Sequence, residues 1–132
     1  MHVRSCVCIC VQELCDTDLS RLMDEVLTIL GPCLRLSCVL QIATDIAAGL
    51  QCMHSMRICH ADIKPCNVLI HGQADALPLG CVAVLADFGL SRALPAGQDT
   101  IPHILGTPFY VAPETALQGQ LSLQSDIYRW VM

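Results

Sequence analysis

The stretch HADIKPCNVLI, His60 to Ile70, decides how this chain is read. It places Asp62, Lys64 and Asn67 on one short loop between a long apolar segment and a β-branched run. Lys64 is the only lysine among 132 residues, and only 14% of the chain is charged. Scarce charge gathered this tightly points to chemistry. A second such point follows the apolar run Val82–Leu85, where Asp87 precedes Phe88 and Gly89. Two loops at strand ends offering Asp, Asn, Asp and Lys suit a divalent cation and a phosphate. Mg²⁺ favours a few carboxylate or amide oxygens completed by substrate phosphate oxygens. A nearby ammonium offsets charge that builds on a transferred phosphoryl group. Any one of these residues alone would read as an Asx-turn in a solvated loop.

Outward from that loop the elements follow from periodicity. Val39, Ile42, Ala43, Ile46, Ala47, Leu50 and Met53 recur at helical spacing with Gln41 and Asp45 off the stripe, which predicts a core helix after Ser37. Upstream, Asp16 or Thr17 is expected to cap a helix carrying Leu19, Leu22, Met23, Val26 and Leu30, ended by Gly31-Pro32. Val3 to Val11 alternates and reads as a strand. Val68–Ile70 and Val82–Leu85 read as two more. From Gly89 to Pro113 nothing is periodic, and loops of that length are usually functional. LSLQSDIYRWVM, from Leu121, begins a final helix.

Composition narrows the class. The chain is 54% apolar with a mean hydropathy of +0.55, oily for a self-contained domain. A net charge of −5 with scattered basic residues argues against a nucleic-acid backbone as partner. Between Val26 and Leu50, the residues Gly31, Pro32, Arg35, Gln41 and Asp45 interrupt the apolar run, so no membrane segment is expected. The ten cysteines lack the turn-forming C-x₂-C pairs of structural zinc sites. They read as small buried hydrophobes in a reducing, cytoplasmic setting.

Three stretches then occur in a telling order: HADIKPCN, ADFG and GTPFYVAPE. They resemble the catalytic loop, the metal-binding motif and the end of the activation segment of protein kinases. VCICVQELCDTDL resembles a kinase strand, gatekeeper and hinge, and SDIYRW the start of the central large-lobe helix. Lys64-Pro65 and Thr107 resemble the serine/threonine or tyrosine-kinase-like pattern. The resemblance implies an α+β fold, a partial kinase domain with strand and hinge over residues 1–15 and a large-lobe segment over 16–132. It implies ATP and Mg²⁺ as cofactors and a protein serine or threonine as acceptor.

Carried over residue by residue, Asp62 would orient the acceptor hydroxyl and take its proton, and Lys64 would stabilise the γ-phosphate. Asn67 and Asp87 would hold Mg²⁺. Glu13 and Cys15 would offer backbone groups to the adenine edge, with Leu69 in the adenine floor and Gln12 as gatekeeper. Thr107 would bridge Asp62 and Lys64, His60 would stack on Phe88, and Asp126 would brace the loop. Ala61 stands where many kinases carry an arginine that grips a phosphorylated activation segment. The eight glycines never form G-x-G, and the lysine and glutamate that grip the α/β-phosphates in kinases have no counterpart before Glu13. The chain by itself is therefore expected to be inactive. The alternative is a non-catalytic, kinase-derived interaction module.

Overall fold

The computed structural model describes residues 14–29, 36–72, 81–103 and 106–132. The expected strand Val3–Val11, Gln12, Glu13 and the Gly31-Pro32 helix end lie outside the described residues. Four helices and seven short strands make an α+β arrangement among those residues, as the sequence implied.

A three-stranded antiparallel sheet lies at the centre. It joins β1 (Thr17–Asp18), β3 (Val68–His71) and β4 (Val82–Leu85) in the order β1-β3-β4. Val68 pairs with Leu85, Ile70 with Ala83 and also with Thr17. The helix α1 (Leu19–Ile29) follows β1 directly, and α2 (Leu36–Ser55) lies across the sheet. Alternation along β3 buries Val68 and Ile70 while leaving His71 exposed, because successive strand residues face opposite sides. The core unites Leu22 of α1, Ile42, Ile46 and Leu50 of α2, Ile63 of the catalytic-loop stretch, and Val68, Ile70, Cys81 and Ala83 of the sheet. By length and composition α2 is apolar enough to cross a bilayer. Its buried stripe, however, packs into this core.

Two expectations are corrected here. The cap of α1 is Asp18, whose Oδ1 accepts from Arg21 N at 3.1 Å. Asp16 is occupied instead by the end of β3: its amide donates to Ile70 O at 3.0 Å and its Oδ2 accepts from Gly72 N at 2.8 Å. Thr17 is in β1. The α2 stripe buries Ile42, Ile46, Leu50 and Met53 as expected, but begins at Cys38 in place of Val39, which is exposed. Steps of mainly four residues carry this path along one face.

The aperiodic stretch Gly89–Pro113 is tied down by very short pairings. β2 (Ile58–Cys59) pairs with β5 (Arg92–Ala93), and β6 (Ile101–Pro102) pairs with β7 (Gln120–Leu121). Between β6 and β7, the 3-10 turn Pro108–Tyr110 leads into α3 (Pro113–Gln118). The last helix, α4 (Leu123–Val131), opens with a reciprocal cap between Ser122 and Ser125. A second small core gathers Cys59, Ala61, Leu94 and Leu121 beneath this stretch. Burial pushes the Cys59 thiol up to about 12, so this cysteine is an inert packing residue.

Candidate active site

The catalytic-loop stretch runs from the end of β2 into β3, and its path is set from below by one carboxylate. Asp126 on α4 is fully buried, and its oxygens accept from His60 N at 2.7 Å and Ala61 N at 2.9 Å. His54, near the end of α2, places Nε2 3.1 Å from the same carboxylate. These bonds satisfy two amides that no strand or helix pairs, and they hold Ala61 at φ 69. His60 is held on both ring nitrogens. Nε2 donates to Ala86 O at 3.0 Å, and Nδ1 accepts from Asp62 N at 3.3 Å. That arrangement requires the neutral ring, and burial depresses the His60 pKa in the same sense. Its ring also meets Phe88, centroid to centroid, at 5.3 Å.

Above this floor Asp62, 5% exposed, collects four donors. Its Oδ1 accepts from Thr107 N at 3.2 Å and Thr107 Oγ1 at 2.8 Å. Its Oδ2 accepts from Asn67 Nδ2 at 3.1 Å and lies 2.7 Å from Lys64 Nζ. Lys64 also donates to Thr107 Oγ1 at 2.8 Å, which closes a triangle of three side chains. Burial pushes the Asp62 carboxyl up, but the hydrogen bonds from Lys64 and Thr107 and the Lys64 charge outweigh it and hold the group below its ordinary value. The hydrogen bond to Asp62 raises Lys64 in turn. The pair is an ionised carboxylate held beside an ammonium. Such a carboxylate can orient a hydroxyl and accept its proton while the ammonium faces a developing negative charge.

Asn67 ends the 3-10 turn Pro65–Asn67 and donates Nδ2 also to Asp62 O at 2.8 Å. That orientation leaves Oδ1 with one weak partner, the Cys66 thiol at 3.8 Å. Asp87 is brought alongside by the preceding residue, because Ala86 N donates to Asn67 O at 2.9 Å while Ala86 O takes the His60 ring. Asp87 is exposed, adopts a left-handed φ of 60, and among the described residues accepts only from Gly89 N at 3.3 Å. An amide oxygen with one weak thiol partner and a carboxylate bonded once by a backbone amide are hard donors that fit Mg²⁺ with phosphate oxygens filling the remaining positions. Among the described residues no group of three His, Cys, Asp or Glu forms an all-protein metal cage.

The structure thus puts Asp62, Lys64 and Asn67 in direct contact, with Asp87 following Ala86, whose amide is bonded to Asn67 O. Thr107 bridges Asp62 and Lys64, the His60 ring meets Phe88, and Asp126 holds the His60 and Ala61 amides. Leu69 is half-buried in β3 between Asp18 and Val84, one strand residue beyond Val68. Cys15 is half-buried just before β1, and Glu13 lies outside the described residues. Sequence reading missed His54, whose signal was a polar residue beside the buried α2 stripe. It also missed Arg129 on α4, which is 2% exposed and whose guanidinium has no hydrogen-bond partner among the described residues. The guanidinium lies under Gly106, where an added Cβ would come within 2.8 Å of Nη2. Glycine at φ 146 is therefore required directly before Thr107.

Comparison with known proteins agrees with this geometry. The family described as "Protein kinase domain" matches residues 4–130. A probable serine/threonine-protein kinase PBL28 of Arabidopsis thaliana is 40% identical over 96 residues, 67% of this chain and 24% of the relative. Serine/threonine-protein kinase pakF of Dictyostelium discoideum is 38% identical over 80 residues, 61% of this chain and 6% of the relative. Serine/threonine-protein kinase 17A of Oryctolagus cuniculus is 33% identical over 90 residues, 68% of this chain and 21% of the relative. The chain spans no more than 24% of the length of any of these three relatives.

Proposed function

The chain belongs to the protein kinase domain family, and from that premise we propose that its residues form the phosphoacceptor and metal half of a serine/threonine kinase site. The observation that carries this is the triangle of Asp62, Lys64 and Thr107, with edges of 2.7–2.8 Å. Asp62 orients the acceptor hydroxyl and takes its proton, and Lys64 steadies the transferred phosphoryl group. Thr107 holds both at fixed separation and ties them to the segment that follows the aperiodic stretch. Asn67 Oδ1 and Asp87 would hold Mg²⁺, which draws charge from the phosphate oxygens of ATP. Leu69, Cys15 and Glu13 serve the adenine ring, and a cytoplasmic setting suits the family's use of ATP.

The chain's one lysine already serves Asp62, and the chain contains no G-x-G. Groups that grip the α/β-phosphates must then come from another segment, because kinase catalysis is largely positioning and electrostatics. The 132-residue chain given Mg-ATP and a serine/threonine peptide should transfer phosphate at no rate above background. Supplying a kinase small lobe in the same polypeptide should restore transfer, and Asp62→Asn should abolish it. Transfer by the chain alone that disappears in Asp62→Asn would contradict the requirement for those groups. A restored domain indifferent to Asp62→Asn would contradict the site.

A second reading has its own observation. Phe109, Leu117, Val131 and Leu36 are 88%, 85%, 74% and 71% exposed, large apolar side chains that a kinase-derived interaction module would use. A restored domain that neither binds nucleotide nor transfers phosphate would favour it.

A further inference from the structure

Ala61 occupies the position from which a kinase arginine grips a phosphorylated activation segment, and its methyl group is fully buried. Arg92, within that segment, does not replace the missing arginine. It is exposed and donates to the carbonyl of its own neighbour Ser91 at 2.8 Å. Arg57 reaches the segment instead. It caps the end of α2 through a bond from its amide to His54 O at 2.9 Å, at a φ of 58. That left-handed position usually belongs to Gly or Asn, so an arginine there calls for a cause. Its carbonyl accepts from Leu94 N at 2.8 Å. Its Nη2 donates to Pro95 O at 3.4 Å and to Gln98 O, and lies 3.7 Å from Asp99 Oδ1. The turn so held is closed by Gln98 N to Pro95 O at 3.1 Å.

We infer that Arg57 is a positioning residue that fixes the 94–99 turn of the activation segment without a phosphate. The inference rests on the kinase reading of residues 89–113. Two main-chain carbonyls do for Arg57 what a phosphoryl group does for the arginine absent at position 61. Carbonyls are permanent acceptors, so the clasp is closed whatever the modification state of the exposed Thr100 beside it. Asp99 adds little, because its carboxylate is 98% exposed and such pairs are weak. Downstream, the held segment passes through β6 to Thr107 and so to Asp62.

Hydrogen exchange on the 132-residue chain tests this without any need for kinase activity, so its outcome is separable from that of the transfer assay. In Arg57→Met the amides of Leu94 and Gln98 should exchange about tenfold faster, the loss of one charge-assisted hydrogen bond. The β3–β4 ladder should keep its wild-type rates. Arg57→Lys should recover part of the protection, and Asp99→Asn should change it by less than about threefold. Wild-type rates at Gln98 in Arg57→Met would overturn the inference. Should Arg57→Met fail to fold, Arg57→Lys decides: faster exchange confined to 94–99 supports the clasp, and uniform loss of protection overturns it. Thr100→Glu should leave the turn as it is. A further slowing in Thr100→Glu that disappears with Arg57→Lys would also overturn it, since the segment would then depend on an anion at position 100.

Discussion

Asp62 and Asp87 sit at neighbouring strand ends in one small site, yet they are treated in opposite ways. Asp62 is buried under four donors, from Thr107, Asn67 and Lys64. Asp87 is exposed, on a left-handed backbone, with a single long contact from Gly89. The loop around Asp62 is completed from within the protein, and that around Asp87 leaves oxygens for something else. The difference separates what the fold needs from what a ligand needs. A carboxylate taken out of water persists in its charged form only if donors replace the water. A carboxylate left in water, on a backbone conformation that costs energy, points to a role outside the fold's own stability.

The braced side of this contrast breaks most readily at Asp126. Asp126→Ala removes the acceptor of His60 N and Ala61 N and the partner of His54, all in a region closed to solvent. Leaving two buried amides without their acceptor costs about 1–3 kcal/mol each. An unfolding free energy, read from urea titration, lowered by about that sum is expected, with Asp126→Asn lowered by less because one acceptor oxygen survives. If Asp126→Ala melts like the parent chain, the loop is not held from below and the contrast loses its cause.

Why some of this was legible beforehand and some was not follows from the kinds of signal involved. The run Val68–Ile70 and the helix from Leu36 declare themselves by period, because each buries a face long enough to leave a pattern. The site was legible because Asp62, Asn67, Asp87 and Thr107 fall in a fixed order around those elements. Two-residue strands such as β2 and β5 carry no period, so the tethering of the aperiodic stretch left no trace. Asp16, Thr17 and Asp18 are three competent caps in a row, and they are told apart by the bond of Asp16 to Gly72 and that of Asp18 to Arg21. Arg57 was invisible because its acceptors are main-chain carbonyls, which every sequence has.

Protonation sharpens the contrast next, with a different window for each group. Asp62 is held below its ordinary value, so its contribution to stability is full above about pH 4 and is lost as pH falls from there through the folded value. His60 is a base held neutral by burial, so its penalty begins higher, as pH falls below about 6.5. A plot of urea midpoint against pH should therefore fall in two stages. Asp62→Asn should flatten the acid stage and leave the stage near pH 6 in place, deepened a little because the Asp62 charge partly offsets the burial of His60. A single-stage curve shared by both proteins would mean that Asp62 is not specially held.

Asp87→Asn should give the smallest change in stability and the clearest change in binding. The side chain is exposed and bonded once, so substitution should alter the unfolding free energy from urea titration by no more than about 0.5 kcal/mol. Asparagine is at home in the left-handed region, and its amide oxygen can still accept from Gly89 N. What it cannot supply is the negative charge that draws a divalent cation to one carboxylate and one amide. Mn²⁺, titrated in place of Mg²⁺, should broaden the amide signals of Asn67 and Gly89 in the parent chain and leave them sharp in Asp87→Asn. A loss of stability comparable to that of Asp126→Ala would place Asp87 among the braced groups. Equal broadening in both proteins would remove it from the metal site, since an exposed, strained aspartate that holds neither the fold nor the ion has no remaining physical cause.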